Sequence, residues 1–377
     1  MESSTELRIA GVPGPATAKL RTGLPGLLST LNPITQNCTP LQVSAIRKLL
    51  ALFLVVLFLG ACSSEAPQPP IRLGVPVSTQ ASLPWLTQEL GLFRKNGVRI
   101  ELVSYPSGKR ALQALLKGRL DLAVSAETPF AIAAFDHPDL RLFSTLGKSD
   151  DEIRVLARRD HGIEKPADLA GKSIATQQNS AVHFFLSSFL LYHGLDPKGI
   201  DLHFMKAEEL APALVSGEVD AISMRDPILE EAKWGLGEGR WVEMKVPGLY
   251  TKTYNLLGRV DFLQKHPGTM ERILQALMEA EEYLEQHPEQ ARKLIAARLG
   301  LTETRLEQLW SGLQFRVSLS QGLLATLQEE AAWAVASGAV DAAKATAMPD
   351  FLVLLELRPL SSVAPDTVGL IGLEPGK

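Results

Sequence analysis

Cysteine is scarce in this chain of 377 residues, which contains only Cys38 and Cys62. Two cysteines cannot supply the paired C-x-x-C set of a structural zinc site or a dense disulfide framework. Both stand in an N-terminal segment that has the features of a processed leader. We therefore expect the mature protein to have no disulfide, no metal site, no catalytic thiol and no cofactor.

A strong excess of charge is also missing, since 38 lysine and arginine residues stand against 42 acidic residues, a formal charge of -4. Nucleic-acid-binding domains usually carry a basic footprint, so we expect no nucleic acid partner. No apolar run reaches the roughly 18 residues that a membrane-spanning helix needs. An apolar content of 46% is ordinary for a globular protein, and most of the chain should fold in water.

A secretion signal is present near the N-terminus. Arg47 and Lys48 precede an apolar run over residues 49–59, and small residues lead to Cys62. The segment LGAC at 59–62 resembles a bacterial lipobox, which implies that Cys62 carries lipid; an ordinary signal peptide or a buried helix are the alternatives. We expect residues 1–61 to be an extension plus signal peptide and residues 62–70 (CSSEAPQPP) to be an extended tether.

A β-turn-α-β unit is predicted over residues 171–205. A β-prone run ends at Thr176, a polar turn follows, and apolar residues then recur every three or four positions. Asn179 or Ser180 can cap the helix, and Ser180 and His183 would lie on its first turn. In open α/β sheets ligands bind beyond the strand ends, and a helix N-terminus favours an anion. The alternative is that Ser180 is only a cap and His183 a surface residue.

Two short segments repeat almost a hundred residues apart: ALLKGRLD at 114–121 and ALVSGEVD at 213–220. Each ends a helix at glycine, enters an apolar strand, and reaches a polar loop before a proline. The repeat predicts two α/β lobes, with residues 71–153 plus 255–350 in lobe 1 and 154–254 in lobe 2. Helices are expected over 262–286, 288–299 and 302–313, and an irregular tail over 351–377.

As a set, several motifs resemble one family: DLAGK at 168–172, NSAVHFFL at 179–186, GL at 194–195, SGEVDA at 216–221 and HP at 266–267. It is the substrate-binding proteins of ABC importers for nitrate, sulfonates, taurine and thiamine precursors. The resemblance covers about residues 71–345. It implies an α/β, two-lobed type 2 periplasmic-binding-protein fold with two crossover hinge strands, closing on a small ligand.

The family's ligand loops correspond to positions 78–82, 125–128, 179–183 and 225–226. Two departures stand out, because Glu127 and Asp226 place carboxylates where oxyanion binders have neutral donors. Those carboxylates suit a ligand bearing an amine; alternatively, Asp226 caps a helix and Glu127 is a solvated loop residue. Arg225 could pair with Asp226 or hold an anion bidentately. The candidate ligand-binding residues are Ser78, Gln80, Ser82, Glu127, Thr128, Asn179, Ser180, His183, Arg225 and Asp226.

The resemblance implies an extracytoplasmic, lipid-anchored monomer, periplasmic or at the cell surface. It would bind a sulfonate, nitrate or similar anion and deliver it to an ABC permease and its ATPase. A thiamine-precursor (aminopyrimidine) binding protein and a ligand-sensing lipoprotein are the alternatives. An enzyme is disfavoured: Gly171-Lys172-Ser173 lacks the first glycine of a P-loop, and G-x-S-x-G and H-E-x-x-H are absent.

Overall fold

The computed structural model describes residues 69–310, 312–341, 343–345 and 347–371. The predicted signal peptide, Cys62 and most of the predicted tether lie outside these residues. Within them the chain forms two β-sheets with helices packed on both. The strands, in chain order, are β1 Ile71–Pro76, β2 Ile100–Tyr105, β3 Leu122–Ala126, β4 Leu140–Ser149, β5 Arg154–Arg158, β6 Ser173–Thr176, β7 Asp201–Phe204, β8 Ala221–Met224, β9 Trp241–Met244, β10 Lys252–Arg259, β11 Gln314–Ser320 and β12 Val368–Gly369.

In the described part of the chain, seven strands form one sheet in the order β12-β11-β4-β10-β3-β1-β2. The other five form a second sheet in the order β7-β6-β8-β5-β9. We call the first sheet and its helices lobe 1, and the second sheet and its helices lobe 2. The chain leaves lobe 1 after β4 and returns at β10, so two connections join the lobes. The predicted two-lobed α/β fold with two crossovers is confirmed.

The parallel pairs arise from strand-helix-strand units, as the repeated segments predicted. β1 pairs in parallel with both β2 and β3, and β6 pairs in parallel with β7 and β8. Every residue of β3 and of β8 is buried, which is typical of central strands covered on both faces. The last residues of these strands, Ala126 and Met224, line the same small pocket, so the two carboxyl ends approach each other where the lobes meet.

Helices cover both sheets, and short 3-10 turns connect them. Lobe 2 contains the helices Ala181–Tyr192, Ala207–Ser216 and Ile228–Leu236, and the remaining helices belong to lobe 1. The helices are α1 Leu83–Glu89, α2 Leu92–Lys95, α3 Gly108–Leu116, α4 Glu127–Ala133, α5 Ala181–Tyr192, α6 Ala207–Ser216, α7 Ile228–Leu236, α8 Val260–Lys265, α9 Thr269–Gln286, α10 Pro288–Leu299, α11 Glu303–Trp310, α12 Gln321–Ala336, α13 Phe351–Leu354 and α14 Arg358–Val363, with 3-10 turns at Thr79–Ala81, Arg159–His161, Pro166–Leu169, Pro197–Gly199 and Pro365–Thr367.

Two predictions about helical segments are wrong. The helix expected over 262–286 is divided into α8 and α9, because Pro267 cannot donate a backbone hydrogen bond and Gly268 adopts a left-handed φ of 67°. The expected irregular tail instead forms α13, α14 and β12. Phe351 and Leu360 bury their side chains there, and Glu356 N donates to Leu142 O at 3.0 Å. Apolar residues without a regular period still anchored this segment to lobe 1.

None of the helices in the described ranges is both long enough and apolar enough to cross a bilayer. Buried aliphatic and aromatic side chains in both lobes form the hydrophobic core that stabilises the fold.

Candidate ligand-binding site

A cavity of about 510 Å³ lies between the two lobes. We call it the interlobe cavity. Lobe 1 lines it with Ser78, Ser107 and Arg305, among others, and lobe 2 contributes Arg225 and Asp226. Its volume lies within the usual range for small-molecule sites.

Three helices of nine or ten residues begin at this cavity. Ser107 precedes α3, and its Oγ accepts a hydrogen bond from Arg110 N at 3.3 Å. Ala207 begins α6, and Ile228 begins α7. The first N–H groups of a helix lack intrahelical acceptors and carry the positive end of its dipole. The cavity therefore favours the negatively charged end of a ligand.

Arg225 follows β8 and lines the interlobe cavity. Its Nε lies 3.3 Å from Glu152 Oε1, and Glu152 also accepts from Lys252 Nζ at 2.7 Å. The sequence analysis offered a pairing of Arg225 with Asp226 as one of two alternatives. It is wrong, because Arg225 forms its ion pair with Glu152 on the connection that leaves lobe 1. Arg225 is thus a positively charged group held in place by lobe 1 and the connection.

Asp226 is held by a different arginine. Arg154 Nη2 donates to Asp226 Oδ2 at 2.6 Å, and Arg154 Nη1 donates to Glu243 at 3.1 Å. The alternative that Asp226 caps a helix is wrong, since the capping position of α7 is Pro227. Asp226 Oδ1 is buried and has no hydrogen-bond partner in the described structure; Arg305 Nη2 lies 4.0 Å away.

Only the first of the three candidates in positions 78–82 lines the cavity. Ser78 directly precedes the 3-10 turn over Thr79–Ala81 and lines the cavity. Gln80 is buried instead and donates from Nε2 to Lys252 O at 2.9 Å. Ser82 is fully buried. The prediction that Gln80 and Ser82 face the ligand is wrong, because the turn directs both side chains into the interior of lobe 1.

Glu127 and Thr128 are fully buried in α4 and do not line the interlobe cavity. Glu127 accepts hydrogen bonds from the Tyr250 hydroxyl and from Thr253 N, the latter at 2.8 Å. Thr128 Oγ1 donates to Glu330 Oε1 at 2.5 Å. The alternative of a solvated Glu127 is therefore also wrong. Its carboxylate is satisfied inside lobe 1 and by the returning connection.

Burial raises the pKa of Glu127 above its ordinary value, although hydrogen bonds from Tyr250 and Thr253 oppose the shift. Burial also raises the pKa of Glu330 well above its ordinary value, and the nearby charge of Glu127 adds to that effect. Two carboxyl groups in one dry cluster cannot both ionise cheaply. Burial therefore favours the protonated form of this cluster more than that of an exposed carboxyl group.

The candidates at positions 179–183 are divided between two environments. Asn179 adopts a left-handed φ of 52°, and Ser180 Oγ donates to Gln177 O at 2.6 Å. Ser180 lines a small pocket beside the interlobe cavity, together with Arg225 and Lys109. Its side chain does not accept the capping bond of α5.

His183 does not face either pocket. Its ring lies between Trp333 of lobe 1 and Phe204 of lobe 2, with centroids 4.8 Å from each. Only 5% of the residue is exposed. Burial, and then the charge of Lys109, lower the pKa of His183 to about 4, so the ring is neutral at pH 7. The ring packs between the lobes. His183 therefore fits neither the predicted ligand role nor the alternative of a surface residue.

Several cavity residues were missed by the sequence analysis: Ser107, Glu152, Arg154, Glu208, Glu231 and Arg305. The strand-to-helix turn at Ser107 resembles the turns that were selected and could have been found by the same rule. Arg305 lies on α11, far along the chain, and no sequence signal connects it to the cavity. No cluster of three or more His, Cys, Asp or Glu residues in the described ranges could hold a metal ion.

Comparison with known proteins gives the same architecture. Residues 81–291 match the family described as NMT1/THI5 like. A Bacillus subtilis (strain 168) protein named for aliphatic sulfonates binding is 24% identical over 307 residues, covering 78% of this chain and 91% of its own length. The taurine-binding periplasmic protein of Escherichia coli (strain K12) is 23% identical over 217 residues, 56% of this chain and 66% of its own length.

Among solved structures, the periplasmic aliphatic sulphonate binding protein of Escherichia coli superposes with a TM-score of 0.64 at 21% identity. The match covers 82% of this chain and 96% of that protein. Likeness at this level of identity establishes the two-lobed fold.

Proposed function

The chain belongs to the NMT1/THI5 like family, and we propose that it is the extracytoplasmic solute-binding protein of an ABC importer. In this role it captures a small polar ligand between its lobes and delivers it to a permease, whose ATPase drives transport. Relatives named for binding sulfonates and taurine support this assignment. We propose binding without chemical conversion of the ligand.

The interlobe cavity is the observation that carries the proposal. It joins three helix N-termini to Arg225, a set of donors that suits a sulfonate, nitrate or carboxylate group. Ser78 and Ser107 add hydroxyl groups that can donate to the same oxygens. Of the ten candidates from the sequence, Ser78, Arg225 and Asp226 are proposed to contact the ligand, and Ser180 to border it.

Thermal unfolding of the full chain with and without ethanesulfonate, taurine and nitrate tests the assignment. A ligand at 100 times its dissociation constant should stabilise the folded state by about 2.7 kcal/mol. A saturable rise in the unfolding temperature with at least one of these anions is expected. If none of the three produces a rise, the proposed anion-binding function is wrong.

Membrane attachment through Cys62 is proposed from the lipobox-like segment at 59–62, and a monomeric state is proposed with it. Expression of the full chain in a bacterium fed labelled fatty acid should label the processed protein. Cys62→Ser should abolish the label, and Cys38→Ser serves as the matched control. A label retained in Cys62→Ser contradicts the anchor. Two acyl chains give stable attachment where one is marginal.

A thiamine-precursor ligand is the second candidate. Glu152 and Asp226 line the cavity, and carboxylates accept hydrogen bonds from amino groups on a pyrimidine ring. Thermal unfolding with an aminopyrimidine distinguishes the two, since a larger rise in unfolding temperature than with every anion at the same concentration would favour the aminopyrimidine. A sensor lipoprotein would use the same cavity with a receptor as partner.

A further inference from the structure

Arg305 of lobe 1 faces two carboxylates of lobe 2 at the interlobe cavity. Its Nη2 lies 4.0 Å from Asp226 Oδ1, and its Nη1 lies 3.8 Å from Glu230 Oε2. Both distances are those of an ion pair, but they exceed the roughly 2.7–2.9 Å of a charge-assisted hydrogen bond. A closing movement of about 1 Å between the lobes would therefore convert both contacts into direct hydrogen bonds.

Lobe 1 holds Arg305 in a fixed position. The residue stands in the first turn of α11, where its backbone N donates to Thr302 Oγ1 at 3.2 Å. Its Nη1 also donates to Gln308 Oε1 at 3.0 Å, one turn further along the helix. The next residue, Leu306, is buried in the core of lobe 1. The guanidinium group is thus supported from its own lobe while it points to the other.

The position of Arg305 on its helix does not explain its charge. The first turn of a helix carries the positive end of the dipole, which disfavours a cation there. Gln308, the side chain of lobe 1 that accepts from its guanidinium group, is neutral. Both carboxylates that pair with it, Asp226 and Glu230, belong to lobe 2. The positive charge is therefore stabilised from the opposite side of the cavity.

Asp226 provides a second, independent observation. Its Oδ2 accepts from Arg154 at 2.6 Å, whereas its Oδ1 is buried and accepts no hydrogen bond from the described residues. A buried acceptor without a donor costs free energy, and the approach of Arg305 would remove that cost. A carboxylate oxygen can accept two hydrogen bonds, so Asp226 would still be able to contact a ligand.

We propose that Arg305 is an interlobe latch, which fastens lobe 1 to Asp226 and Glu230 and holds the cavity closed. The role in ligand capture rests on the proposed function, whereas the latch itself is a property of the chain without ligand. The apparent affinity for a ligand depends on the fraction of molecules in the binding-competent state. Loss of the latch therefore weakens binding even where the lost contact does not touch the ligand.

Glu230→Gln separates a latch from simple electrostatics. Glu230 is not among the residues that line the cavity, and removal of a negative charge near an anion should by charge alone leave binding unchanged or tighten it. A latch predicts the opposite sign. Calorimetric titration of the full chain with ethanesulfonate should show binding about two- to fivefold weaker in Glu230→Gln. Equal or tighter binding overturns the latch.

Glu238→Gln is the control for that titration. It removes an exposed carboxylate of lobe 2 that lies beyond the end of α7 and outside the cavity lining. Its affinity for ethanesulfonate should match that of the unaltered chain. If Glu238→Gln weakens binding as much as Glu230→Gln, the effect comes from the general charge of lobe 2 and the latch is wrong.

Spin labels measure the separation of the lobes without any ligand. Lys293→Cys and Glu218→Cys place one label on an exposed position of each lobe of the full chain, and Cys38→Ser with Cys62→Ser removes the native thiols. Pulsed electron-spin resonance should show a longer and broader distance distribution when Arg305→Gln is added to this background. An unchanged distribution overturns the latch.

Two further variants in the labelled background complete the test. Arg316→Gln is the control, because the partner of Arg316 is Glu281 in the same lobe, and it should not change the distances. Adding Glu230→Gln to Arg305→Gln should widen the distribution no further, since both remove one contact. If ethanesulfonate does not bind the unaltered chain but these distances shift as expected, the latch stands and binding of this anion fails.

Discussion

The carboxylates of Glu127 and Glu330 share the Tyr250 hydroxyl as a hydrogen-bond partner. Glu127 and Glu330 both belong to lobe 1, whereas Tyr250 lies on the connection that returns from lobe 2. Both carboxylates are fully buried. This cluster, whose protonated form burial favours, therefore lies where the second connection docks on lobe 1.

Glu330→Gln should reduce the loss of stability as pH rises above 4.5. The pKa of Glu330 is raised in the folded state, so its stabilising effect is complete below the ordinary value of 4.5 and is lost as pH rises through the folded-state pKa. A glutamine stays neutral and can still accept from Thr128. Urea unfolding at a series of pH values from below 4.5 upward measures the change.

The exposed neighbour Glu329 provides the control for that measurement. Glu329→Gln should retain the dependence on pH of the unaltered chain. If Glu330→Gln loses stability with rising pH as steeply as the control, the protonated cluster is not the cause.

His183→Ala should destabilise the protein by about 2 kcal/mol or more, because it removes a ring packed between Trp333 and Phe204. Ligand affinity should change little, since His183 does not line the interlobe cavity. Urea unfolding and ligand titration of the same sample give both quantities. A large loss of affinity with unchanged stability would restore the ligand role predicted from the sequence.

The same histidine should contribute to instability in acid. Its pKa of about 4 in the folded state lies below the ordinary 6.5, so the unfolded chain binds the proton more readily. Stability from this group is complete above about pH 6.5 and is lost as pH falls toward 4. His183→Phe should remove that part of the dependence, whereas His203→Phe, at a partly exposed ring, should not.

The sequence predicted the two lobes and the strand-to-helix turns well, because alternating and helical apolar periods are local properties. It did not distinguish Arg225, which lines the cavity, from Glu127, which is buried, although both follow the repeated segments. The difference depends on Tyr250 and Thr253, more than a hundred residues later in the chain. His183 was placed on the correct helical turn, but Trp333 determines what that turn faces.

Arg225→Ala should weaken anion binding by about tenfold or more, since it removes a positive charge from the cavity and leaves Glu152 paired only with Lys252. Arg225→Lys should recover part of the affinity, because lysine keeps the charge but not the planar set of donors. Titration with the best anion of the panel measures both. Unchanged affinity in Arg225→Ala would remove this residue from the proposed site.

Gly147→Ala should destabilise the fold by about 1–3 kcal/mol, because a β-carbon there would lie 2.5 Å from Gln80 O. The displaced turn carries Ser78, so ligand affinity should fall as well. Gly199→Ala is the control, with no atom within 4 Å of its added carbon. Equal unfolding free energies for the two variants would show that the turn can move away without cost.

Ser149 and Lys252 face each other across the antiparallel pair of β4 and β10. The two ends of the segment that builds lobe 2 are therefore neighbours at the tip of a β-hairpin. In topological terms, lobe 2 occupies the place of a hairpin turn, and its replacement by a short loop would leave the strand order of lobe 1 intact. Exchange of lobe 2 between relatives offers a route to hybrid proteins. Such hybrids would keep the lobe 1 half of the cavity and take the lobe 2 half from the relative.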